Sequence, residues 1–129
     1  MAVFDDLANY FHAPVQGVVA VYLFGSHARA EQRDDSDVDI AVLFEEAPQP
    51  RVLGPQVRIM GDIERLLRRP VDVVILNHAS VDLIHRVLRD GQLVADIDPS
   101  RRIAFEVKAR NEYFDLLPYL EAYRRGAAA

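Results

Sequence analysis

The chain contains no cysteine. That absence excludes a disulfide framework, a thiolate metal site and a catalytic thiol, and a reducing cytosol suits such a chain. Long apolar runs are missing too: the longest, Val18 to Phe24, falls far short of the roughly 20 residues that span a bilayer. Met1 to His12 carries Asp5 and Asp6 with neither a basic start nor a long apolar segment, so it does not read as a signal peptide. Positive charge is in deficit, with 15 Lys and Arg against 20 Asp and Glu and a net charge of −5, the wrong sign for gripping nucleic acid through its phosphates. The basic pairs Arg68 and Arg69, Arg101 and Arg102, and Arg124 and Arg125 read as salt-bridge partners on solvated helix faces. His12, His27, His78 and His85 show no metal-ligand spacing among themselves. No repeat or low-complexity stretch is visible.

What is present suits one globular domain over residues 1–129, with half of the residues hydrophobic and 27% charged. A chain of this length buries roughly two-thirds of its unfolded surface. The pattern predicts a short amphipathic helix over Val3 to Phe11, stopping before Pro14, and a strand covered on both faces over Val18 to Phe24. Gly25 and Ser26 end that strand, with Ser26 as N-cap of a short helix through Ala30. From Val38 to Phe44 the residues alternate, Val38, Ile40, Val42 and Phe44 on one face, Asp37, Asp39, Ala41 and Leu43 on the other. Gly54 and Pro55 open a helix with the stripe Val57, Met60, Ile63 and Leu67, and with Glu64 and Arg68 paired on its exposed side. Val71 to Leu76 follows as a strand. Ser80 caps the next helix, which Gly91 ends as a left-handed C-cap. A weaker strand covers Gln92 to Ile97, and Asp98 and Pro99 start a final helix to about Arg125, bent or divided by Pro118.

The chemistry concentrates in GSHARAEQRDDSDVDIAVLF, where Gly25 and Ser26 precede Asp37-Val38-Asp39 by ten residues. Residues two apart on a strand project to the same side, so Asp37 and Asp39 stand together with Cα atoms about 6.5 Å apart. At that spacing the carboxylates repel by on the order of 2 kcal/mol at an effective dielectric near 20. A helical crossover makes the strands on either side of it parallel and aligns their starting edges, which puts Asp72 beside them. The first strand must then run antiparallel for Gly25 and Ser26 to reach the same edge, so the sheet is mixed. Hard oxygen ligands of this kind select Mg²⁺ or Mn²⁺, while Gly25, Ser26 and the following N–H groups offer donors to phosphate. A turn and a solvated edge strand would each explain part of the pattern, but not four elements at compatible positions.

Gly-Ser, ten residues, Asp-x-Asp and a later strand aspartate resemble the polymerase-beta-like nucleotidyltransferase superfamily. The short length is similar to its minimal nucleotidyltransferase antitoxins, which pair with HEPN-family ribonuclease toxins. The resemblance runs from about Val18 to Leu76 and more loosely through the C-terminal helix. It implies an α/β (α+β) fold, a mixed sheet flanked by helices with a long C-terminal helix, and an ATP-dependent adenylyltransferase using two Mg²⁺ ions. Asp37, Asp39 and Asp72 would hold metal, and Gly25 and Ser26 would contact triphosphate. Arg29 either reaches a phosphate or pairs with a neighbouring acid. Many relatives carry Gly where this chain has Ala30. The implied acceptor is a tyrosine hydroxyl of a cognate HEPN toxin. Transfer to a small molecule or RNA end with the pocket completed by a dimer, and neutralisation by contact alone, are the other readings.

On the last helix, Ile103, Val107, Phe114 and Leu117 recur on one face and Tyr113, Leu120 and Tyr123 on another. Deep embedding in the domain would account for this, as would a partner or a second copy meeting the second face. For the site itself, Asp37→Asn or Asp39→Asn is expected to abolish nucleotide transfer and leave stability equal or slightly raised, since each removes a ligand charge and a repulsion. Transfer assays with Mg²⁺ beside thermal melts measure both, and full activity in both variants would refute the proposed site.

Overall fold

The computed structural model of the chain describes residues 3–13, 15–27, 37–49 and 54–128. The two apolar stretches become strands β1 (Val18–Phe24) and β2 (Val38–Phe44), which pair antiparallel with Phe24 opposite Asp39. Strand β3 (Val71–Ile75) runs parallel to β2, from Val38 opposite Val71 to Val42 opposite Ile75. Strand β4 (Gln92–Asp96) adds antiparallel to the free edge of β1, so the order is β3-β2-β1-β4 and the sheet is mixed.

Alternation along β2 feeds two separate apolar clusters, Val38, Ile40, Val42 and Phe44 into one and Ala41 and Leu43 into the other. Helices α1 (Val3–His12) and α2 (Pro55–Leu67) cover the first through Leu7, Phe11, Ile59 and Ile63. Helices α3 (Val81–Asp90) and α4 (Pro99–Ala128) cover the second through Ile84, Val87 and Ala109. Polar ties fix these layers. The Tyr10 hydroxyl donates to Asp62 at 2.7 Å and joins α1 to α2, and burial together with that acceptor pushes its pKa up to about 12. On the other face Tyr22 donates to Glu106 at 2.6 Å, Arg102 bridges Glu106 at 3.0 Å and Asp96 at 2.8 Å, and α4 is thereby moored to β1 and β4.

Several local expectations change. In α2, Ile59 and Ile63 are buried while Val57 faces solvent, because Gln56 donates its amide to the Val73 carbonyl and turns that side of the helix towards β3. Glu64 does not pair with Arg68; it accepts the Val71 N–H at 3.1 Å, and Arg68 closes the helix at φ 55°. Ser80 caps α3 as expected, accepting the Leu83 N–H at 3.2 Å. Gly91, however, sits at φ −78°, so left-handed freedom is not its role. A Cβ there would lie 2.5 Å from the Val87 carbonyl oxygen and 3.2 Å from that of Leu23, so close packing of α3 on β1 demands glycine.

Helix α4 differs most. It continues unbroken through Pro118, and it is not embedded: Ile103 is 51%, Phe114 63% and Tyr123 76% exposed. Thirty residues of helix extend about 45 Å, far beyond a five-residue strand of about 17 Å, so the sheet covers only the part around Ala109. No described helix is long and apolar enough to cross a membrane.

Gly91→Ala is expected to lower folding stability by about 2 kcal/mol, since the added methyl meets backbone on both sides. Urea denaturation of the variant beside the unaltered chain measures this, and an unshifted midpoint would contradict the packing role.

Candidate active site

Phe24, Asp39 and Asp72 form one transverse row across β1, β2 and β3. Neighbouring strands lie about 4.8 Å apart, so paired residues raise their side chains next to each other. Asp39 and Asp72 project on the face that carries Ala41, Leu43 and Val74, the face covered by α3. With Phe24, Gly25 and Val74 they line a cleft of about 350 Å³, and α3 closes its other side with Leu83, Arg86 and Asp90. Asp39 is half-buried and Asp72 exposed. A larger cleft of about 560 Å³ opens at the far end of β2 around Gly17, Phe44 and Arg58, and none of Gly25, Ser26, Asp37, Asp39 and Asp72 lines it.

Gly25 is the tightest point. Its φ of +74° lies in the left-handed region, and a Cβ would stand 2.4 Å from Oδ2 of Asp39. The backbone of Gly25 thus packs directly on the carboxylate. Gly25 opens a 3-10 turn, Gly25–His27, that directly follows β1. Ser26 lies inside this turn, half-buried, rather than before it as an N-cap, because the turn starts one residue earlier than expected. Arg29 and Ala30 lie outside the described residues.

The expected trio of carboxylates is only partly assembled. The parallel ladder begins at Val38 opposite Val71, so Asp37 precedes the pairing, stands exposed and does not line the cleft. Among the described residues no group of three or more His, Cys, Asp or Glu side chains is close enough to hold a metal ion. Two carboxylates nevertheless suit Mg²⁺, which takes one or two from protein and completes its octahedron with water and substrate phosphate. The Asp39 and Asp72 pair fits that donor set.

Arg86 and Asp90 were missed by sequence reasoning. Their spacing with Leu83, at i, i+3 and i+7, marks one helix face, but nothing in the sequence says that this face overhangs the aspartates. Asp90 is held by Arg89 through two hydrogen bonds of 2.9 Å.

Known proteins resemble this chain in family and in fold. The family model Polymerase beta, Nucleotidyltransferase matches residues 6–100. The chain is similar to the protein adenylyltransferase MntA of Thermococcus cleftensis, 38% identical over 74 residues that cover 57% of this chain and 72% of that protein. Among solved structures, a chain of a toxin-antitoxin crystal structure with AMP-PNP superposes with a TM-score of 0.81 at 24% identity over 98% of both chains. A chain of the tri-AMPylated Shewanella oneidensis HEPN toxin in complex with MNT antitoxin gives a TM-score of 0.75 at 22% identity over 98% of this chain and 97% of that one. At these identities the structural likeness is one of fold.

Gly25→Ala is expected to force the Asp39 carboxylate aside and to reduce nucleotide transfer at least about hundredfold. Gly17→Ala supplies the control: its φ of +82° is also positive, yet its added Cβ meets nothing nearer than 3.9 Å. Equal activity losses in the two variants would trace the effect to backbone strain and not to displacement of Asp39.

Proposed function

The chain belongs to the polymerase beta nucleotidyltransferase family, and from that premise we propose that it is an antitoxin-type protein adenylyltransferase that silences a cognate HEPN ribonuclease toxin by transferring AMP from ATP to a tyrosine hydroxyl. The observation that carries this reading is the pairing of Asp39 with Asp72 beside Gly25, in a fold that matches chains of toxin-antitoxin complexes over nearly its whole length. The likeness to MntA of Thermococcus cleftensis supports the choice of a protein as acceptor. The whole chain acts as one nucleotidyltransferase domain in the cytoplasm, and the toxin supplies the second half of the working site.

Asp39 and Asp72 would hold Mg²⁺, with Asp37 two positions before Asp39 available to join them once nucleotide is bound. The metal supplies charge neutralisation on the phosphates and a lowered pKa for the attacking hydroxyl. The turn at Gly25 and Ser26 holds the triphosphate through its N–H groups, and Phe24, Val74 and Leu83 exclude water from the cleft. The tyrosine oxygen attacks the α-phosphorus in line. Its bond to phosphorus forms as the bond to the β-phosphate oxygen breaks, pyrophosphate leaves, and the hydroxyl proton passes to water. The product is an AMP phosphodiester on tyrosine.

Mixing the chain and its toxin with ATP and Mg²⁺ is expected to raise the toxin's mass by whole AMP units on tyrosine, and the modified toxin to stay inactive after the two are separated. Intact-mass and peptide mass spectrometry, followed by a ribonuclease assay, test this. Toxin that is inhibited in the mixture but unmodified and fully active on separation would favour neutralisation by contact. A toxin neither modified nor inhibited would point to a small-molecule or RNA acceptor.

A further inference from the structure

The geometry points to Arg86 as a phosphate-binding residue, the positive charge on α3 that engages the triphosphate of the nucleotide opposite Asp39 and Asp72. This inference rests on the nucleotidyltransferase reading of the cleft and adds a binding residue from an element outside the Gly-Ser and Asp-x-Asp motifs.

The argument begins with charge. The cleft between the sheet and α3 is walled by three aspartates, Asp39, Asp72 and Asp90, and among the described residues lining it Arg86 is the one cation. An anionic triphosphate entering such a space needs positive charge from the protein as well as from metal. Arg86 is also uncommitted: it makes no hydrogen bond or ion pair among the described residues, whereas Arg89, one turn on, is locked to Asp90 by two bonds of 2.9 Å. An arginine near a helix C-terminus can serve merely to offset the helix dipole. Here Arg89 stands closer to that end, in the last turn, and is left to do so.

Arg86 is also presented by a well-anchored element. Ser80 caps the start of α3, Ile84 and Val87 are buried against the sheet, and Gly91 jams its end against Leu23. The ring of His85 stacks on Tyr113 of α4 with centroids 3.5 Å apart and planes 5° from parallel. A guanidinium on so fixed a helix needs only its own side-chain rotamers ordered on binding, and its planar fork matches two phosphate oxygens at once. Leu83, three residues earlier on the same face, gives the cleft an apolar wall beside that charge.

Calorimetric titration of the full-length chain with AMP-PNP and with AMP, each with Mg²⁺, tests the assignment on the unaltered protein, Arg86→Gln and Arg86→Lys. Arg86→Gln is expected to weaken AMP-PNP binding about tenfold or more and AMP binding much less, with Arg86→Lys recovering most of the loss. Melting temperatures should be unchanged, because Arg86 holds nothing together in the free chain. Unaltered AMP-PNP affinity in Arg86→Gln, an equal loss for AMP and AMP-PNP, or a lowered melting temperature would each overturn the inference. Failure of the unaltered chain to bind AMP-PNP would instead remove the nucleotide site itself, and this inference with it.

Discussion

Two aspartates fixed opposite each other on neighbouring strands repel by on the order of 3 kcal/mol at an effective dielectric near 20. The chain holds Asp39 and Asp72 in that arrangement because β2 has no freedom to slide. On one side it is paired antiparallel with β1, on the other parallel with β3, and both of its faces are buried. Val38, Ile40 and Val42 are wholly buried, and each such side chain contributes roughly 1.5 to 3 kcal/mol. A slip of one residue would reverse every one of them. Burial therefore outweighs the repulsion.

The same central position explains which parts of the fold were legible in the sequence. The bounds of β1 and β2 follow from apolar runs buried on both sides, and the parallel pairing that sets Asp72 beside Asp39 follows from a single helical crossover between strands. Local signals also served where a side chain answers to its own backbone, as with the Ser80 cap. They failed where a distant group decides. Val57 faces out because Gln56 reaches Val73, and Glu64 ignores Arg68 because the Val71 N–H needs an acceptor. Gly91 is glycine on account of carbonyl oxygens at Val87 and Leu23, the latter on another element, and its own dihedral is ordinary.

At the site the division is similar. Gly25 was readable as a phosphate contact, whereas its packing on Asp39 and the separation of Asp37 from the pair depend on how β1, β2 and β3 are registered. Arg86 could not be found from spacing alone, since an exposed arginine on an amphipathic helix is ordinary until the helix is laid over the carboxylates. What lays it there is the moored half of α4: the Tyr22, Glu106 and Arg102 network fixes α4, and the His85 and Tyr113 stack carries that position to α3. The cleft is thus shaped in part by residues that never touch it.

Beyond that mooring, α4 passes through Pro118 without ending. Proline brings no N–H, so the carbonyl of Phe114, four residues earlier, lacks its helical donor. Past this point, among the described residues, an exposed ion pair between Arg124 and Asp82 at 3.4 Å links the helix to α3. An exposed pair of that kind adds little, about 1 kcal/mol at most. Opening the end of α4 thus breaks little, whereas opening β2 breaks pairing on both of its sides and burial on both of its faces.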